Sequence, residues 1–134
     1  MTKILYLRTV PLFNLNAGGS VGHTSGVINS LDKSVELDVI SNDKLFGVKK
    51  EIKIHSPLLK FLPVFGEFFY NLGLIRKVKN VASYDFIYQR HAAESFIGAY
   101  LSKKYGVPLI LEFNSFEAWK LLNWGKKGNP AFMF

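Results

Sequence analysis

Three short clusters hold the side chains best able to bind or activate a ligand: Gly18-Gly19-Ser20-Val21-Gly22-His23-Thr24, Arg90-His91 and Glu112-Phe113-Asn114. The first follows the apolar run Ile4-Leu5-Tyr6-Leu7 and opens a stretch with apolar residues at helical spacing. A strand, a glycine-rich turn and a helix in that order make an anion site. Glycine lets backbone approach closely, and a helix N-terminus offers unpaired N–H groups and a partial positive charge. The structural alternative is that these glycines only let the helix pack tightly on the strand. His23 falls in the first helical turn, where the dipole disfavours protonation and a neutral imidazole can touch a substrate; a lone histidine can equally be structural. Arg90 ends a strand and can clamp a phosphate or carboxylate with two parallel hydrogen bonds, or form an ion pair with Glu112 on the neighbouring strand. Glu112 serves as a general acid or base only if partly buried.

Several chemistries are disfavoured. The glycine cluster is not a P-loop, because no Gly-Lys-Ser/Thr closes it, and its spacing is not the G-x-G-x-x-G of a dinucleotide fold. Asp43 does lie near the position of a ribose-binding acid, which keeps the dinucleotide reading as an alternative. No His/Asp/Glu set has metal-ligand spacing, so neither a metal nor another cofactor is expected. The chain has no cysteine, which removes disulfides and thiolate chemistry and fits a reducing, cytoplasmic setting.

The elements that must position these clusters alternate along the chain. Residues 3–8 read as the first strand, followed by a long loop over Thr9–Gly18. A helix is expected over Ser20–Lys33, with Ser20 as N-cap and Thr24, Val27, Ile28 and Leu31 on one face. Strands are expected over Val35–Ser41, Glu51–His55, Tyr84–Arg90 and Val107–Glu112. Helices are expected over Phe65–Ala82, over Ala92–Tyr105 with Phe96, Ile97, Tyr100 and Leu101 inward and Gly106 as the stop, and beyond Ser115. This alternation predicts an α/β fold, Rossmann-like and three-layered, with a mainly parallel sheet of about five strands. Ligands in such sheets bind beyond the carboxyl ends of the strands, so the loops after strands one, four and five converge with their clusters.

Composition agrees with one soluble domain: 134 residues, 49% hydrophobic and 15% aromatic. No stretch reads as a secretory leader or a spanning helix. The net charge of +7 is concentrated over residues 44–79. Such a block suits an acidic partner or is a solvated face. No recognition motif for nucleic acid accompanies it. Phe61, Leu62, Phe65, Phe68, Phe69 and Leu72, with flanking lysines, suit docking at an anionic membrane surface; the other reading packs them on the sheet.

The frame Gly18-Gly19-x-x-Gly22-His23, the stretch Asp85-Phe86-Ile87-Tyr88-Gln89-Arg90 and the stretch Val107–Ser115 together resemble the N-terminal domain of family 4 glycosyltransferases, half of a GT-B fold. The resemblance spans about residues 3–125. It implies a retaining enzyme that moves a sugar from a nucleotide-sugar donor to a sugar or lipid-linked acceptor, usually without a metal, in cell-envelope polysaccharide or glycolipid synthesis. It implies that Gly18, Gly19 and Gly22 approach the donor diphosphate and that Arg90 or His91 contacts the transferred sugar; Arg90, His91 and Glu112 are the catalytic residues expected here, and His23 and Asn114 the expected sugar or acceptor contacts. It also implies a donor-binding C-terminal domain with no counterpart in residues 1–134, so this chain is expected to be an incomplete acceptor-side domain, inactive alone. Its apolar end, Ala131-Phe132-Met133-Phe134, fits a chain continuing into more protein or covered by a partner. Cytoplasmic location, with peripheral contact at the inner membrane face, follows from the same resemblance. The rival expectation is a non-catalytic Rossmann-like module that binds a phosphorylated ligand or an anionic membrane.

Overall fold

The apolar run after Thr2 becomes the central strand, β1 (Lys3–Arg8), buried from Ile4 onward. In the computed structural model, residues 1–9, 19–41, 43, 45–48, 51–52, 66–92 and 95–114 are described. β1 pairs in parallel with β2 (Glu36–Ser41) on one side and with β4 (Phe86–Arg90) on the other. β3 (Glu51–Ile52) runs parallel to β2, and β5 (Leu109–Glu112) runs parallel to β4. The strand order is β3-β2-β1-β4-β5, so the chain direction across the sheet reverses beside β1. The sheet proper is thus four strands of four to six residues, not the full five expected, because β3 is a two-residue edge pair. The rest of the expected third strand, Lys53–His55, lies outside the described residues.

Alternating side chains send β1 into two cores. Ile4 and Tyr6 pack with Leu37 and Val39 beneath Val21 and Ile28 of α1 (Gly19–Leu31). Leu5 and Leu7 pack with Ile40 and Ile87 against Tyr70 and Leu74 of α2 (Gly66–Lys77) and Ile97 and Leu101 of α3 (Ile97–Tyr105). Helices on both faces of a parallel sheet make three layers, a Rossmann-like arrangement. Each fully buried Leu or Ile contributes about 1.5–3 kcal/mol, and both cores run through β1, which makes that strand the pivot of the fold.

Local departures from the sequence expectation have physical causes. α1 starts at Gly19, so Ser20 sits inside the helix instead of capping it, and His23 falls in the second turn. α3 starts at Ile97 instead of Ala92 because its first N–H groups are met from elsewhere: Ile97 N–H donates to Asn71 Oδ1 at 3.2 Å and Gly98 N–H to Gln89 Oε1 at 2.7 Å. A Cβ on Gly98 would lie 1.9 Å from Gln89 Oε1, so only glycine allows that approach. Phe96 and Tyr100 leave the predicted inward face: Phe96 precedes the helix and Tyr100 is exposed. α3 ends at Gly106 in the left-handed region, φ 69°, its N–H donating to Ser102 O at 2.9 Å. On α2, Tyr70 and Leu74 turn inward while Phe68, Phe69 and Leu72 are exposed, so packing on the sheet does not account for those three. Phe61, Leu62, Phe65 and the helix expected beyond Ser115 lie outside the described residues. Among the described residues no helix is long and apolar enough to cross a membrane.

Candidate functional site

Parallel pairing in register brings the ends of β1, β4 and β5 to one edge: Arg8 lies opposite Arg90, and Arg90 opposite Glu112. Two residues earlier, Tyr6 lies opposite Tyr88, and the rings stack with centroids 5.1 Å apart. The alternation of the strands puts Tyr6, Arg8, Tyr88, Arg90, Ile110 and Glu112 toward the α1 side of the sheet. β5 has no described neighbour on its far side, and Ile110 and Leu111 are about half exposed.

Glu112 is the hub. Its Oε1 accepts from Arg90 Nη1 at 2.8 Å and from the Asn114 side-chain amide, and lies 3.0 Å from His23 Nε2. Tyr6 OH approaches Oε2 at 3.5 Å, at the outer limit of a hydrogen bond. Burial acts to raise the Glu112 pKa, but the Asn114 hydrogen bond, the Arg90 charge and His23 outweigh it and hold the carboxyl below its ordinary value. The carboxylate is thereby held in its ionised, hydrogen-bond-accepting form. Burial first, then the Glu112 charge, raises the Tyr6 and Tyr88 phenols. Both therefore stay neutral near neutral pH.

The structure thus brings together Arg90, Glu112, His23 and Asn114, residues separated by up to 91 positions in the sequence. The ion pair weighed as the alternative for Arg90 is present. His91 is not in the cluster: its ring packs on Phe113, centroids 4.9 Å apart, and its backbone N–H donates to Glu112 O at 2.8 Å. Gly19 and Gly22 sit in the first turn and a half of α1, exposed, where an added Cβ would meet nothing within 4 Å. Tight helix packing therefore does not explain these two glycines; Gly18 lies outside the described residues.

Sequence reasoning missed a second charged pair on the same edge. Arg8 Nε and Nη2 both donate to Asp43 Oδ2, at 2.8 and 2.7 Å, and Arg8 Nη1 donates to Thr24 Oγ1 at 3.1 Å. This pair joins β1, α1 and the segment after β2. It also occupies the acid that a dinucleotide reading would need for a ribose. The available signal was opposite charge at Arg8, the last residue of one apolar strand, and at Asp43, two residues past the next. Beside it, Thr9 and Ser95 share a hydroxyl contact, and Gln89 Nε2 donates to Ser95 O at 3.0 Å and to Ser95 Oγ at 2.6 Å. With Asn71 Oδ1 and Gln89 Oε1 accepting from its first N–H groups, the N-terminus of α3 is capped by protein side chains. Among the described residues no three His, Asp or Glu side chains gather as a metal site.

No protein-family model matches this chain, and no match was found among curated proteins or solved structures.

Proposed function

We propose that this chain is the acceptor-side domain of a glycosyltransferase, with the Glu112 cluster binding hydroxyl groups of an acceptor sugar. The carrying observation is the convergence of His23, Arg90, Glu112 and Asn114 beyond the strand ends, beside the reversal of strand order where parallel α/β sheets bind ligands. A carboxylate, an amide and an imidazole within one hydrogen-bond network offer both donors and acceptors, as a polyol requires. The rival reading, a module for a phosphorylated ligand, is less well served. Arg90 is already engaged, and the ionised Glu112 would repel a phosphate at the same place. In this reading the donor nucleotide is held mainly by a second α/β domain, and Gly19 and Gly22 form the near wall of the shared cleft.

A lipid-linked acceptor is favoured by the surface of α2. Phe68, Phe69 and Leu72 are exposed, and Arg76 and Lys77 close the same helix, a combination suited to the interface of an anionic bilayer.

Saturation-transfer NMR on the full chain tests the proposal. Neutral mono- and disaccharides should show contact, abolished by Glu112→Ala, while UDP-glucose and GDP-mannose should bind no more tightly than millimolar. Micromolar donor binding by this chain alone would overturn the assignment of the donor site to another domain.

A further inference from the structure

The acceptor site, as just proposed, leaves open which atom takes the hydrogen of the bound hydroxyl. We propose that Glu112 fixes His23 as its Nε2–H tautomer, making Nδ1 the hydrogen-bond acceptor that orients a hydroxyl group of the acceptor sugar. This rests on the acceptor-site reading.

An ionised carboxylate can only accept. With Glu112 Oε1 3.0 Å from His23 Nε2, a neutral imidazole therefore carries its proton on Nε2 and keeps a lone pair on Nδ1. Glu112 is itself held by Arg90 and the Asn114 amide, so the ring is oriented by a group that has its own partners. A carboxylate behind a histidine sets tautomer and ring angle in the same way when the histidine binds a metal. Exposure picks out the imidazole as the reachable member: the His23 side chain is 51% exposed, against 13% for Arg90 and 12% for Glu112.

The surrounding chemistry creates the need. The groups facing Glu112 and His23 are Tyr6 from β1, Tyr88 and Arg90 from β4, and Asn114 after β5. Arg90 is a pure donor, and Glu112 Oε1 already has three partners. A sugar hydroxyl donates as well as accepts, and His23 Nδ1 has no partner among the described residues.

The test is imidazole nitrogen NMR on the full chain labelled with nitrogen-15 histidine, at a pH where the ring is neutral. The His23 signals are assigned by their loss in His23→Gln. The expected result is a single Nε2–H tautomer, with Nδ1 shifting on addition of glucose, galactose or N-acetylglucosamine, each tried separately. Glu112→Ala should leave a mixture of tautomers. His23→Gln keeps a donor for Glu112 but nothing at Nδ1, and should weaken the sugar contact by about threefold to tenfold. His23→Asn places an amide near the Nδ1 position and should recover part of that loss, which a merely structural histidine would not show. A proton on Nδ1 in the unsubstituted chain, or an Nδ1 unmoved by every sugar, overturns the proposal and needs no variant to fold. An Nδ1 that responds to sugar in a chain that also binds UDP-glucose or GDP-mannose at micromolar concentration supports this assignment and sinks only the placement of the donor site in another domain.

Discussion

Two arginine–carboxylate pairs stand side by side at one sheet edge, and they differ in burial and in what each holds. Arg8 and Arg90 are register partners on adjacent strands, yet they turn apart: Arg8 toward Asp43 and Thr24, Arg90 toward Glu112. The Arg8–Asp43 side chains are 3% and 1% exposed, and Arg8 is also bonded to α1 through Thr24. The Arg90–Glu112 pair is several times more open and carries a half-exposed histidine on the same carboxylate oxygen. The first pair stitches three segments together. The second holds a half-exposed imidazole beside a carboxylate. The two pairs share their chemistry and differ in solvent access.

Disrupting the buried pair should cost the most stability. Arg8→Ala or Asp43→Ala should cost about 3–5 kcal/mol, because removing one partner leaves a charge with no route to water; urea denaturation reads this directly. Gly98→Ala comes next, at about 1–3 kcal/mol, because the new methyl collides with the buried Gln89 amide that caps α3. It should lower the urea midpoint and leave sugar contact at the Glu112 cluster intact. Arg90→Ala should cost only about 1 kcal/mol of stability, since water can reach the remaining carboxylate, while sugar contact is lost. A large stability loss with binding intact would invert the assignment of the two pairs.

The pH dependence sharpens the same contrast. The Glu112 carboxyl is lowered in the folded state relative to roughly 4.3 in the unfolded chain. Its stabilising contribution is therefore fully present above that unfolded value and is lost as pH falls through the folded one. Chemical denaturation of the unsubstituted chain and Glu112→Gln should differ most above about pH 5 and converge in acid. The smallest effect belongs to the α2 surface. Phe69→Ser should change stability by no more than about 0.5 kcal/mol, yet reduce sedimentation with phosphatidylglycerol vesicles; unchanged sedimentation would remove the lipid-linked form of the proposal.

What the sequence made legible was whatever depends on local pattern plus one topological rule. The apolar run at Ile4–Leu7 marked β1. The alternation of strands and helices placed Arg90, Glu112, His23 and Asn114 on one edge, because strand ends in a parallel sheet share that edge. What escaped depends on distant partners. α3 begins where Asn71 and Gln89 supply its caps, information carried by α2 and β4. Asp43 spacing invited a ribose role, whereas Arg8 from the centre of the sheet takes it. Arg90 and His91 were ambiguous because one residue decides the face of a strand, and the register with β5 puts Arg90 on Glu112 and His91 on Phe113.

The most direct test of the division between the two pairs is amide and side-chain shift mapping of the full chain during titration with a neutral disaccharide such as maltose or lactose. Shifts confined to His23, Arg90, Glu112 and Asn114, with Arg8, Thr24 and Asp43 unmoved, are the predicted result. Shifts centred on Arg8 and Asp43, or no response at the Glu112 cluster to any neutral sugar, would contradict it.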